Sequence, residues 1–405
     1  MEKEKFAVLI RGFCVNLSKR PQIVISEAGE TVPASAMKVE INDGEDEASA
    51  ARAIQKSYDA WVKSNSSGNP GGDKIPLPSC FALCANGKTG SLYWIGADLD
   101  SARKRLSEKN ASPEITPAFK AGMTVDPSER ALVVKNKIAL VTGGAQGIGE
   151  EIVRNLAAAG ALVFIADLNL EGAQKLADAI NAEEKRSAAL AIKVNVCDET
   201  SVEEMFKTIA GTAGGLDLCV SNAGVLKAGS VLEQPLSDFK FVTDINYTGF
   251  FIICKFAGRL LRIQHYTAPD WKTDIVQINS KSGLEGSNKN GAYAGGKFGG
   301  LGLVASFALE LVDYNIKVNA ICPGNFLDGQ LWSDPEKGLF VQYLKTGKVP
   351  GAKTIADVRA FYESKVPMKR GCTGKDVIRS LFYIVEQQYE TGQAIPVTGG
   401  QVMLH

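Results

Sequence analysis

Histidine is nearly missing from this chain: only His265 and His405 occur in 405 residues. Histidine-based catalytic triads and histidine zinc sites are therefore not expected. An excess of charge is missing as well. Lys plus Arg is 45 and Asp plus Glu is 45, so no net field draws the chain to nucleic acid or to a membrane surface. No apolar run is expected to approach the roughly 18 residues of a membrane span. The apolar stretch after Met1-Glu2-Lys3-Glu4-Lys5 is too short for a signal core. Eight cysteines occur without the spacing of a disulfide framework. Cys219, Cys254 and Cys322 sit in apolar runs and read as reduced core thiols, which points to the cytoplasm. Cys80 and Cys84 lack a second pair, and their segment reads as a strand, so no metal is expected. Hydrophobic content of 45% is ordinary for a globular protein, and the length allows two domains.

What is present begins with Ser280, Tyr293 and Lys297. Tyr293 and Lys297 lie four apart and share one face of a helix. Ser280, thirteen residues upstream, can end the preceding strand and meet them in space. Hydride transfer at an alcohol or ketone must also move a proton at the substrate oxygen. A tyrosine hydroxyl is a poor base at neutral pH, because its ordinary pKa is roughly 10. An ammonium beside it favours the phenolate. A serine hydroxyl can hold the substrate oxygen in line.

Upstream lies Thr142-Gly143-Gly144-Ala145-Gln146-Gly147-Ile148-Gly149, between the apolar run Ile138–Val141 and a helical pattern through Ile152, Val153, Leu156 and Ala157. Strand, glycine turn and helix form a cradle for a pyrophosphate, because the helix start supplies free N–H groups and partial positive charge. A second strand, Leu162–Ala166, ends at Asp167, eighteen residues past Gly149. An acidic side chain there can accept from ribose hydroxyls and would repel a 2′-phosphate. Leu168, Asn169 and Leu170 offer no arginine to receive one, so NAD is expected over NADP.

Together these residues resemble the short-chain dehydrogenase/reductase family over about 136–405. Gly143, Gly147, Ile148 and Gly149 fall in its glycine signature. Asn222-Ala223-Gly224 matches its Asn-Ala-Gly element, which lines the cofactor site. Pro323-Gly324 matches the turn near the nicotinamide. Asn246, Ser280, Tyr293 and Lys297 match its catalytic tetrad, in which the asparagine holds a water and the lysine also holds the ribose. Asn195 stands where the family usually has an aspartate beside the adenine, and the amide keeps an acceptor. Asp328 stands where a Thr or Ser often holds the carboxamide. The resemblance implies a homo-oligomer, tetramer or dimer, packed through two long helices. A narrower resemblance, to sorbitol-6-phosphate 2-dehydrogenases, lies in Ser280-Lys281-Ser282, in Lys297–Leu303, in Lys365–Cys372 and in the ending Gly399-Gly400-Gln401-Val402-Met403.

That resemblance implies NAD-dependent oxidation of a polyol phosphate, hexitol 6-phosphate to ketose 6-phosphate. The alternatives are an unphosphorylated polyol or other secondary alcohol, or an NAD-sensing protein without catalysis. A substrate phosphate needs basic groups near the site. Lys281 ranks first, with Lys289, Lys369 and Arg370 behind it.

From Lys137 onward, alternating strands and helices read as an α/β fold, a doubly wound parallel (Rossmann) sheet. A long helix is expected through Asn246 and Phe256. Residues 1–130 read as a small α+β domain. Strands are expected at Phe6–Ile10, Gln22–Ile25, Phe81–Cys84 and Leu92–Ile95, with helices at Asp46–Val62 and Asp98–Glu108. A Ser/Gly/Asn/Pro loop is expected at Ser64–Asp73, and a linker with a short helix at Ala111–Lys135. The turns at Gly87 and Gly96 and the helix start at Asp98 are similar to the end of class II aldolase domains. An active aldolase of that class needs histidines for its metal, and this region has none, so a remnant or an oligomerisation role is expected.

Overall fold

A computed structural model describes residues 2–403 apart from 30, 43, 66–73, 86–87, 118–132, 337, 346 and 348. The chain opens with a helix, α1 (Lys3–Ser18), where a strand was expected at Phe6–Ile10. A continuous apolar run does not distinguish the two. Phe6, Leu9, Ile10 and Phe13 carry the helical spacing, and α1 is buried on nearly every side.

Next come β1 (Ile23–Ala28), β2 (Met37–Glu40), α2 (Glu47–Asn65), β3 (Lys74–Leu77), β4 (Cys80–Ala85), β5 (Lys88–Gly96), α3 (Leu99–Glu108) and β6 (Glu114–Pro117). Four of these strands form a sheet in the order β1-β5-β4-β2. Its pairs are antiparallel except β2 with β4. The expected linker is interrupted, because β6 pairs with β3 as a separate ribbon. Most of the expected loop at Ser64–Asp73, the turn at Gly87 and residues 118–132 of that linker lie outside the described residues.

The second sheet contains β7 (Ile138–Thr142), β8 (Leu162–Asp167), β9 (Ala189–Lys193), β10 (Leu218–Ser221), β11 (Thr273–Ile278), β12 (Ile316–Pro323) and β13 (Ala394–Val397). Its order is β9-β8-β7-β10-β11-β12-β13, and every pair is parallel. This is the doubly wound α/β sheet expected from the sequence. Continuous burial along β7, β11 and β12 follows from helices on both faces. Helices Gly147–Ala158, Leu170–Glu184 and Gly374–Glu386 close one core. Helices Glu199–Ala213, Gly249–His265 and Gly291–Leu311 lie on the other face, in a core shared with α1. Strand order reverses between β7 and β10, which opens a crevice at the carboxyl ends of the strands.

The helix expected through Asn246 and Phe256 is continuous but not uniform. Leu236–Thr243 and Gly249–His265 are joined by a π turn at Asp244–Thr248. Such turns widen a helix by one residue and recur at functional sites. Gly291–Tyr314 is long and apolar enough to cross a membrane, although its apolar residues are interrupted in sequence. One side of this helix packs on the sheet, while Phe298, Leu309 and Val312 remain exposed on it.

Candidate active site

A cleft of about 1070 Å³ runs along the crevice. At one end is the glycine turn. Gly143 and Gly147 have φ of +61° and +59°, which side-chain-bearing residues rarely adopt. A Cβ on Gly149 would stand 2.1 Å from the Gly143 carbonyl oxygen and 2.6 Å from Asn222 Nδ2. The turn is closed from below by that asparagine, which donates to the carbonyls of Thr142 (3.0 Å) and Gly143 (2.9 Å). Thr142 Oγ1 accepts from the backbone N–H groups of Asn222 and Ala223, both at 3.1 Å. The first N–H groups of the Gly147–Ala158 helix begin at this turn, and Gln146, its N-cap, makes no side-chain cap. They suit a phosphate group.

Asp167 ends β8 at the rim of the cleft. Its Oδ2 accepts from Ala145 N (3.0 Å) and its Oδ1 from Asn169 N (2.9 Å). Each oxygen keeps a lone pair for a further donor. Asn195 also lines this end, and its Oδ1 accepts from Cys197 N at 3.1 Å. The lining here, Asp167, Leu168, Asn169, Val194 and Asn195, contains no lysine or arginine.

The catalytic candidates meet at mid-cleft. Ser280 follows β11 and accepts from Ser282 N at 3.1 Å. Its hydroxyl lies near that of Tyr293 and acts to lower the tyrosine's pKa. Lys297, one helical turn further, donates from Nζ to the Ile278 carbonyl (2.9 Å) and lies 5.6 Å from the centre of the Tyr293 ring. Asn246 is pinned at both ends of its amide to Val225. Its Oδ1 accepts from Val225 N and its Nδ2 donates to Val225 O, both at 2.8 Å. Burial pulls the Lys297 ammonium down to about 8. Burial also raises the Tyr293 hydroxyl above its ordinary value, against the lowering effect of Ser280. The expected lowering of Tyr293 by Lys297 is thus not found. Desolvation of the ring is the larger effect, and the ammonium is turned to Ile278.

Beyond Tyr293 the cleft is lined on one side by Lys281, Ser282, Ser287, Asn288, Lys289 and Asn290. Trp332, Leu339, Tyr343 and Tyr362 line another side. Trp332 packs 4.8 Å from Tyr362 and 5.9 Å from Tyr343, ring centre to ring centre.

The chain as a whole is similar to known proteins. A model of the short chain dehydrogenase family matches residues 137–335. The sorbitol-6-phosphate 2-dehydrogenase of Escherichia coli is 36% identical over 271 residues, which are 66% of this chain and 99% of that enzyme. The chain belongs to the short-chain dehydrogenase family. It is an oxidoreductase that uses a nicotinamide cofactor, NAD or NADP, on a small molecule. Among solved structures, this short-chain dehydrogenase is similar to the sorbitol-6-phosphate 2-dehydrogenase of Erwinia amylovora. That similarity has a TM-score of 0.61 and 38% identity, covering 66% of this chain and all of that one. It is also similar to an NAD+-bound xylitol dehydrogenase, with a TM-score of 0.58 and 27% identity, covering 66% and 99%.

The dehydrogenase brings Gly143, Gly147, Ile148, Gly149, Asp167, Asn195, Asn222, Ala223, Gly224, Ser280, Lys281, Tyr293, Pro323 and Gly324 to this one cleft. Lys297 and Asn246 lie directly behind the lining. Three residues singled out in the sequence lie apart from the cleft lining. Asp328 is not among the lining residues and pairs with Arg359 at 2.7 Å. Arg370 is held by both oxygens of Asp376, at 2.6 and 2.9 Å, and lies on a separate pocket. Lys369 donates to the Ser364 carbonyl at 2.9 Å and also lies outside the cleft lining. Sequence reasoning gave Thr142 and Asn279 no role of their own and missed the aromatic wall. Asn279 links the catalytic strand and helix by donating to Lys297 O at 2.9 Å. Its place directly before Ser280 could have suggested it. Trp332, Tyr343 and Tyr362 carry no motif and are joined only by the fold.

Proposed function

We propose that this short-chain dehydrogenase is NAD-dependent and oxidises a polyol phosphate, with hexitol 6-phosphate to ketose 6-phosphate the preferred reading. The observation that carries it is the charge of the substrate end. Lys281 and Lys289 line it, and among the described residues no carboxylate does. Two ammonium groups without a facing acid favour a dianion. The 36% identity to a sorbitol-6-phosphate 2-dehydrogenase supports the same reading.

When bound, the nicotinamide supplies the hydride acceptor. The chain does the rest. Gly143, Gly147, Ile148, Gly149 and the helix behind them receive the pyrophosphate. Asp167 accepts from the adenosine ribose, with Asn195, Asn222, Ala223 and Gly224 along the nucleotide and Pro323-Gly324 near its reactive ring. Ser280 holds the substrate hydroxyl in line with Tyr293. The Tyr293 oxygen takes that proton in oxidation and returns it in reduction. Lys297 holds the ribose and presents positive charge beside the forming phenolate. Asn246, fixed to Val225, positions a water that links Lys297 to solvent. No metal enters this scheme. Phe298 and Leu309 on the Gly291–Leu311 helix, with Val312 just past its end, offer an apolar face to a second copy of the chain, which makes the enzyme a dimer or tetramer. The enzyme works in the cytoplasm.

Two results test the assignment. Without alteration, the enzyme should use NAD in preference to NADP, because a 2′-phosphate would meet the Asp167 carboxylate. Asp167→Ser should narrow that preference by about tenfold or more, the ratio equivalent to roughly 1.4 kcal/mol. Equal kcat/KM for both cofactors in the unaltered enzyme would contradict the role of Asp167. Lys281→Met should lower kcat/KM for the phosphorylated polyol about tenfold or more, as expected for a charged hydrogen bond of roughly 1.5–3 kcal/mol. Activity on the unphosphorylated analogue should change much less. Equal losses on both would restrict Lys281 to supporting the Ser280 loop and leave Lys289 as the cation for the phosphate.

A further inference from the structure

The relatives matched over nearly their whole length cover two thirds of this chain. The shared fold therefore does not require the layer built from residues 3–117. In this chain, however, the layer is not loosely attached. α1 lies across the helices Glu199–Ala213 and Gly249–His265. Phe6, Leu9 and Ile10 share one core with Phe206, Leu260 and Ile263.

The contact is close as well as apolar. A Cβ on Gly12 would stand 2.6 Å from the Gln264 carbonyl oxygen, and one on Gly214 would stand 2.6 Å from Val24 Cβ. Thr267 Oγ1 donates to the Leu9 carbonyl at 2.8 Å. At the centre is Arg11, fully buried. Its Nη2 meets Asp217 Oδ2 at 2.6 Å, its Nη1 donates to Gln264 Oε1 at 2.8 Å, and its Nε donates to the Gln22 carbonyl at 2.7 Å. The same Asp217 carboxylate accepts from Ile138 N at 2.8 Å and from Trp271 Nε1 at 2.9 Å. Ile138 begins β7, whose far end enters the glycine turn of the cleft. A second tie lies away from the core, where Asp100 on α3 accepts from Ser187 N (3.0 Å) and Ser187 Oγ (2.6 Å) just before β9.

Interfaces between separable domains of one chain are comparatively polar. This one is a largely apolar core around a buried ion pair, and removing the Arg11 guanidinium would leave the buried Asp217 carboxylate without its direct partner and with Lys137 as its remaining nearby cation. We propose that residues 3–117 and the parallel sheet form one cooperative folding unit, latched by Arg11 on Asp217, and that the amino-terminal layer supports the cofactor site through the foot of β7.

The test is hydrogen exchange by mass spectrometry on the full chain, pulse-labelled along a temperature ramp. Cofactor binding is followed in parallel by the fluorescence of the reduced dinucleotide. In the unaltered protein, α1 and β5 should open at the same midpoint as β7 and β10, and binding should be lost there. Arg11→Met should lower all of these midpoints together by roughly 4–6 °C. Arg11→Lys, which keeps the charge and loses the fork, should lower them together by less. Separate midpoints for the two sheets in the unaltered protein would overturn the proposal. So would an Arg11 variant that lowers only the amino-terminal midpoint and leaves cofactor binding unchanged. The unaltered protein decides the question even if Arg11→Met fails to fold.

Discussion

Tyr293→Phe should reduce turnover by about 10²–10⁴-fold, the usual contribution of a positioned acid or base. The ring stays, so the cleft wall keeps its shape, and dissociation of the dinucleotide should change little. Only the hydroxyl that lies near Ser280 is lost. The direction of the pKa shift adds a second expectation. Burial raises the Tyr293 hydroxyl, so the phenolate needed for oxidation becomes more available as pH rises from 7 to 9. Oxidation should therefore accelerate over that range, while reduction, which needs the phenol, should change little, because the phenol stays dominant below its raised pKa. Steady-state kinetics in both directions measure this. Near-normal turnover in Tyr293→Phe, or oxidation that slows with rising pH, would contradict the role of Tyr293.

Gly149→Ala should weaken dinucleotide binding by roughly 10–100-fold, equivalent to a packing strain of about 1–3 kcal/mol. The added methyl would stand 2.1 Å from a backbone oxygen, that of Gly143, and 2.6 Å from Asn222. Neither is the free end of a flexible side chain. The turn must open to accept the methyl, and opening it moves the N–H groups of the Gly147–Ala158 helix away from the pyrophosphate. Gly147→Ala tests the same turn differently. Nothing lies within 4 Å of its Cβ position, but its φ of +59° strains any side chain. Its effect should be the smaller of the two. Calorimetric titration separates these binding losses from changes in turnover.

The cofactor half of the cleft was legible because its chemistry is local. A strand, a glycine turn and a helix start lie within Ile138–Ala158, and Asp167 closes the next strand. Ser280, Tyr293 and Lys297 were legible for the same reason, since one strand end and one helix carry all three. Other features depend on contacts distant in sequence. α1 resembled a strand because its apolar run is continuous, and only packing on two sides explains that continuity. The π turn that turns Asn246 toward Val225 leaves no pattern in Asp244–Thr248. The aromatic wall joins Trp332, Tyr343 and Tyr362 from three separate helices. Asp328 stands where the family often has a Thr or Ser, and its pairing with Arg359, distant in sequence, left no local signal. The Tyr293 shift had the opposite sign to the expected one because proximity to Lys297 was weighed without the cost of burial.

The most direct measurement is absorbance at the reduced-nicotinamide band, with the full-length enzyme, NAD, and matched pairs of hexitols and their 6-phosphates. The proposed function predicts a rise with a hexitol 6-phosphate and a much slower rise with the free hexitol. No rise with any phosphorylated polyol, together with a rapid one on an unphosphorylated alcohol, would contradict it.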